Sequence, residues 1–260
     1  MPKLADRQNS ALVKVLFIGN SGAGKTGALT SLVKAGYRIR ILDMDNGLDA
    51  LSAHVSAECP EGLDRIDFET VRDLYKSSPA GPVISGPPKA FVKATKLMDL
   101  WTDNSKPMEW GQETVFVLDS LTQFARAAFS WARGMNPAAR EPRQWYKTAQ
   151  DAVEDVLAML TSDSFNANVI VISHVDIREQ KDGTVKGFAN SIGSALGPRL
   201  PAYFNTMLLS ETSGTGKAVR RRIKTVPTSL IDLKNPAPMK IEAEYPLETG
   251  LAEIFAKLSK

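Results

Sequence analysis

The chain has 260 residues, 43% of them hydrophobic and 23% charged, with a net charge of +3; it can bury a sizeable core, which excludes a disordered chain, and so weak a charge does not by itself demand nucleic acid as a partner. A single cysteine, Cys59, excludes an intramolecular disulfide, and two histidines without a Cys/His cluster exclude a zinc site, so any metal is expected to arrive with a nucleotide. No apolar run approaches the ~20 residues that span a bilayer, and the opening MPKLADRQNS has no hydrophobic signal segment, so a cytoplasmic protein without a membrane partner is expected.

In chain order, residues 1–11 read as a tail and ALVKVLFIG as a strand buried on both faces. Gly19, Asn20, Ser21, Gly22, Ala23, Gly24, Lys25 and Thr26 then match G-x-x-x-x-G-K-[ST] in full, with Gly27 next, inside the helix KTGALTSLVKAG. Glycines let backbone N–H groups turn around phosphates, the lysine reaches the β and γ phosphates, and the threonine hydroxyl binds Mg²⁺. A purely structural glycine turn has no need of the Lys-Thr pair. ATP and Mg²⁺ are the expected cofactors.

The second strand, YRIRILDMD, leads to Asp43, Asp45 and Asp49. A carboxylate here can polarise an attacking water, and Asp45 is the candidate; Asp43 reads alternatively as an inward structural acceptor and Asp49 as a surface charge on the next helix. RIDFETV is a third strand, and PKAFVKATKLMDLW a helix with Phe91, Ala94, Leu97, Met98 and Trp101 on one side. TVFVLDS, the fourth strand, ends in Asp119, where a carboxylate holds Mg²⁺, with Ser120 beside it. Helices at about 121–133 and 143–162 lead to ANVIVISH, a fifth strand ending at His174. Beyond residue 200, YFNTMLLSE, KAVRRRIKTV and MKIEAEY read as strands without intervening helices, an antiparallel extension before a C-terminal helix. SGTGK, residues 213–217, mimics a phosphate loop but lacks the following helix and reads as a hairpin turn.

This alternation predicts an α/β fold, a mostly parallel central sheet with helices on both faces. One domain is expected over residues 1–260, with a nucleotide-binding core at 12–200 and the antiparallel strands and last helix at 201–260.

The order of phosphate loop, ILDMDNGLDA, VFVLDS and VIVISH resembles the RecA-type ATPase core and is most similar to the short RecA-like ATPases of bacteriophages, which include single-strand annealing proteins. The resemblance implies that Asp45 is the catalytic acid and that His174 senses the γ-phosphate and couples it to the next loop. It further implies Mg²⁺-dependent ATP hydrolysis at the subunit interfaces of a homo-oligomer, single-stranded DNA as the partner, and a host cytoplasm if the chain is phage-encoded. Relatives commonly carry Glu where Asp45 stands, one methylene longer, so slow hydrolysis is expected. His174 replaces an amide side chain, and a histidine that merely caps a strand end is the plain alternative.

The resemblance would place DNA-binding loops after the fourth and fifth strands. ARAAFSWARGMNPAAREPRQWYK carries Arg126, Arg133, Arg140, Arg143 and Lys147 among Trp131, Trp145 and Tyr146, the mix of charge and stacking planes that single strands favour; core anchoring of the two tryptophans is the alternative. HVDIREQKDGTVKGFANSIG reads as a tight turn between extended arms presenting Arg178, Lys181, Lys186 and Phe188, or as a lid over the nucleotide. In AVRRRIKTV the two-residue period puts Arg220, Arg222 and Lys224 on one face and Arg221 on the other. The resemblance implies that one of Arg222, Lys224 or Lys234 reaches a neighbour's ATP as a trans finger, unless the strand face is simply solvated. The leading expectation is a DNA-stimulated ATPase of recombination or annealing. The alternatives are a small-molecule P-loop kinase and a nucleotide-dependent assembly or packaging factor with a protein partner.

Overall fold

A computed structural model describes residues 12–139 and 141–259. The first apolar run is β1 (Lys14–Gly19), followed by the phosphate loop, a 3-10 turn (Gly27–Leu29) and α1 (Thr30–Lys34). The helix expected from Lys25 onward is therefore shorter and opens with a tighter turn; Gly36, at φ +94°, lies just past its end in the left-handed region that glycine adopts without strain. Then come β2 (Arg38–Asp43), α2 (Asp49–Glu58), β3 (Ile66–Thr70), a small hairpin of β4 (Tyr75–Lys76) and β5 (Val83–Ile84), α3 (Ala90–Asp99), β6 (Gly111–Asp119), α4 (Leu121–Met135) and α5 (Pro142–Thr161). The second half holds β7 (Ala167–Ser173), a hairpin of β8 (Val175–Glu179) and β9 (Val185–Ala189), α6 (Gly193–Leu196), β10 (Thr206–Ser213), β11 (Arg220–Lys224), β12 (Glu244–Pro246) and α7 (Leu247–Leu258).

Eight strands form one sheet in the order β12-β11-β10-β1-β7-β6-β2-β3. From β10 to β3 every pairing is parallel, and β11 and β12 add antiparallel to β10. This corrects the expected start of the antiparallel extension. YFNTMLLSE supplies a strand parallel to β1, because the chain crosses back over the sheet through α6 and the turns at 197–202. MKIEAEY yields only the three residues of β12 at its end.

Side chains alternate across the strands and build a core on each face. Leu16, Ile18, Leu118 and Val171 pack with Phe91, Phe124 and Leu157 of α3, α4 and α5. Val15, Phe17, Val117 and Ile172 pack with Leu32, Val55, Leu251 and Phe255 of α1, α2 and α7. A fully buried Leu or Phe contributes about 1.5–3 kcal/mol, so the sheet is firmly held beneath the loops that follow β1, β2, β6 and β7.

Candidate nucleotide site

The loops at the carboxyl ends of those four strands converge on one cleft of about 400 Å³. Lys25, Thr26, Asp45, Asp119 and His174, which come from four different strand ends, all line it. Gly22 and Gly24 take φ +76° and +89°, and a Cβ on Gly24 would stand 2.5 Å from Leu247 Cδ2. Backbone geometry and crowding therefore both call for glycine at Gly24. Lys25 is nearly buried and its Nζ donates to the carbonyls of Gly19 and Asn20, each at 2.9 Å. Burial holds the Lys25 ammonium below its usual range, against the pull of Asp119 and Asp45.

Behind the loop, Thr26 Oγ1 donates to Asp119 Oδ2 at 2.6 Å. Burial pushes the Asp119 carboxyl up to about 6, with the Thr26 hydrogen bond opposing and the charges of Asp45 and Asp43 adding. The pair fits Mg²⁺ as a hydroxyl and a carboxylate side by side. No group of three or more His, Cys, Asp or Glu side chains among the described residues is placed to hold a metal. An ion there would complete its oxygen shell with nucleotide phosphates and water.

Asp45 Oδ1 accepts from Ser120 Oγ at 2.8 Å, and His174 Nε2 lies 3.4 Å from Asp45 Oδ2. Burial raises the Asp45 carboxyl, but these two partners and Lys25 outweigh it and leave it below the ordinary value. Asp43 takes the structural alternative, accepting from the Asn46 N–H at 2.7 Å and Thr70 Oγ1 at 2.8 Å, which fixes the loop that aims Asp45. Asp49 is exposed at the start of α2. His174 sits where β7 passes into the β8–β9 hairpin. Both ends of that hairpin are clamped there: the Asn190 N–H donates to the His174 carbonyl at 2.8 Å, and Ser173 Oγ to the Asn190 carbonyl at 2.9 Å.

The basic residues are spread more widely. Arg133 lies exposed in the last turn of α4 and Arg143 in the first turn of α5; Arg140 lies outside the described residues. Trp131 packs against Phe91 with centroids 5.0 Å apart, as a core anchor, while Trp145 donates to the Asn136 carbonyl at 2.7 Å. Lys181 is exposed at the turn of the hairpin, and Lys186 pairs with Asp232 at 3.1 Å. Arg178 is held by Asp176 and the Ser194 carbonyl. Among the trans-finger candidates, Arg222 and Lys224 both pair with Glu244, and Lys234 donates to the carbonyls of Pro201 and Phe204. None of the three lies in the cleft of its own chain.

Arg221 does. Its Nε is 3.3 Å from the Gly22 carbonyl, and its side chain, with Leu247 and Glu248, roofs the phosphate loop. Sequence reading had put Arg221 on the opposite strand face from its neighbours, which was the available signal, but gave it no role. Thr30, His54 and Glu58 extend the cleft along α1 and α2 and were also missed.

A phosphate loop between strand and helix, backed by a hydroxyl–carboxylate pair at the end of a parallel strand, defines a P-loop ATPase with a RecA-like fold. Residues 11–237 match the AAA domain family, and the chain belongs to it. No curated protein matches the sequence. Among solved structures the chain is similar to the RadB recombinase, at 16% identity over 92% of this chain and 89% of that one, with a TM-score of 0.50. It is also similar to a KaiC-like protein of Pyrococcus horikoshii, at 12% identity over 82% and 78% of the two chains with a TM-score of 0.42. The flagellar accessory protein FlaH of Methanocaldococcus jannaschii aligns at 11% identity over 92% and 87%, with a TM-score of 0.43. The likeness to the RadB recombinase bears on the fold alone. No helix among the described residues is long and apolar enough to cross a membrane.

Proposed function

We propose that the protein is a Mg²⁺-dependent, DNA-stimulated ATPase of the recombination or single-strand annealing type, akin to the phage RecA-like ATPases. It acts as a single ATPase domain that assembles with copies of itself. The observation that carries this reading is the contact between Asp45 and His174, since His174 roots a hairpin bearing Lys181 and Lys186. A strand on the hairpin and a γ-phosphate beside Asp45 would thus act on the same residue.

In this reading Lys25 exchanges the carbonyls of Gly19 and Asn20 for β and γ phosphate oxygens. Thr26 and Asp119 would hold Mg²⁺, which would supply charge neutralisation for the transferred phosphate. Asp45, oriented by Ser120 and His174, accepts a proton from water as the water oxygen attacks the γ-phosphorus. The bond to the β–γ bridging oxygen breaks, releasing ADP and phosphate. Single-stranded DNA engages Arg133, Arg140, Arg143, Lys181 and Lys186, and a neighbour contributes Arg222, Lys224 or Lys234 after that residue leaves its own partner.

The test is steady-state ATP hydrolysis with Mg²⁺, alone and with single- or double-stranded DNA at two salt concentrations. Stimulation by single strands that fades with salt is the expected result. Hydrolysis indifferent to DNA would overturn the DNA partner and favour a protein-partnered assembly factor.

A further inference from the structure

Two adjoining cavities lie between the β4–β5 hairpin and α4, away from the nucleotide cleft. The first, about 260 Å³, is lined by Arg72, Tyr75, Gln123 and Arg126, with Met44 and Val71 from the ends of β2 and β3. The second, about 360 Å³, is lined by Arg133, Trp145 and Pro88 among others, and Ser130 borders both. They form one groove. Its α4 wall presents Gln123, Arg126, Ser130 and Arg133, spaced by three or four residues and so on one side of the helix.

Both walls are fixed. The Ser85 N–H donates to the Leu74 carbonyl at 2.7 Å, and Ser78 Oγ to the Gly81 carbonyl at 2.6 Å, closing the hairpin. Asp73 accepts from the N–H groups of Lys89 and Ala90 at 2.7 and 3.0 Å, tying the hairpin to the start of α3. That use matters for charge, because among the described residues Asp73 is the one carboxylate lining the groove and it is already engaged with backbone donors. Among the described residues Arg72, Arg126 and Arg133 have no ion-pair partner. Tyr75 is 57% exposed, with the 77% exposed Leu74 beside it.

We propose that this groove is a track for single-stranded nucleic acid, continuing from the α4–α5 connection toward β3. The inference rests on the strand-binding reading above and extends it: Arg126, Arg133 and Trp145 belong to the first of the two loop segments, and Arg72 and Tyr75 add a facing wall that neither loop supplies. Each cavity pairs an aromatic ring with a guanidinium, Tyr75 with Arg72 and Arg126, Trp145 with Arg133. Successive bases can stack on the rings while phosphates meet the arginines, which is how sequence-tolerant single-strand sites are built. A duplex keeps its base faces stacked inside and cannot use the rings.

The experiment measures binding of a fluorescein-labelled oligothymidylate to the full chain by anisotropy over a salt series. Arg72→Ala with Arg126→Ala should weaken binding roughly tenfold and lower the log–log salt slope by about 1.4, at ~0.7 per lost phosphate contact. Tyr75→Ala should weaken it roughly fivefold or more, while Tyr75→Phe, which keeps the ring, should bind as the parent chain does. Circular dichroism and thermal melting check that the variants fold. If the parent binds and the double variant matches it in affinity and slope, the groove is overturned while the strand-binding reading stands. If the parent binds no oligonucleotide, the strand-binding reading fails and the groove with it.

Discussion

The burial that places Asp119 in the cleft opposes the charge its role requires. Burial pushes its carboxyl up to about 6, whereas an unfolded aspartate titrates near 3.9. The sign follows: a folded value raised above the unfolded one means stability that is fully present below about pH 4 and is lost as pH rises through about 6. The nucleotide-free chain should thus become less stable between pH 4 and pH 7. Asp119→Asn, which keeps an acceptor for Thr26 Oγ1, should remove that trend and stabilise the nucleotide-free chain by about 2 kcal/mol near neutral pH while abolishing hydrolysis. Denaturant titration without Mg²⁺ at several pH values checks it, and an unchanged trend would show that Asp119 is not the group responsible. Asp45→Asn should separate binding from chemistry, leaving nucleotide affinity intact and slowing turnover by about 10²–10⁴-fold; full turnover would place the base elsewhere. Lys25 and Thr26 were legible because a phosphate loop fixes side-chain chemistry at set spacings, and Asp119 because an apolar strand run ends on it. Arg221 was not, because its position depends on which face of β11 meets Gly22, and that is decided by the pairing of β11 with β10.

Elements were read well where burial imposes a pattern. The apolar runs of β1, β2, β6 and β7 are strands because both faces of a central parallel strand are covered, whereas β3 is a half-exposed edge; α3 and α4 follow from helical spacing of residues such as Phe91, Leu97 and Phe124. The β4–β5 hairpin went unread because arms of two residues have no period to detect. The direction of β10 was misjudged because a strand's partner is not written in its own residues. Packing between elements leads to a further test at Arg40 on β2, which is 3% exposed, lies 4.5 Å above the Trp110 ring and pairs with Asp103 at 2.7 Å. The Arg40 hydrogen bonds hold the Asp103 carboxyl well below the ordinary range. A depressed folded value gives stability that is present above about pH 4 and lost as pH falls further. Asp103→Asn should cost about 1–2 kcal/mol at neutral pH, at the low end for a charged hydrogen bond because Asp103 is half exposed, and should flatten the acid limb of the stability profile. Equal acid sensitivity in the variant would shift that limb to other carboxylates.

At the scale of the whole molecule, the cleft draws on both ends of the fold. The phosphate loop comes from the start of the chain, while Arg221 and Leu247 from β11 and α7 cover Gly24, and Asp45 and His174 line the same cleft. In the single chain, Arg222 and Lys224 are both paired with Glu244, and Lys224 also lies near Glu211. A finger supplied by a neighbour therefore has to trade Glu244 for a phosphate, which is favourable only when two subunits meet over bound ATP. Specific activity should accordingly rise with protein concentration. Mixing offers the sharper test: Lys25→Ala chains lack a working phosphate loop, and chains with Arg222→Ala and Lys224→Ala lack those two fingers. Each should be inactive alone, yet in an equal mixture about a quarter of head-to-tail interfaces join an intact loop to intact fingers and should recover activity in that proportion. Absence of recovery at concentrations where the chains associate would exclude Arg222 and Lys224 as trans fingers. Lys234 of a neighbour or the chain's own Arg221 would then remain as the cation over the phosphate loop.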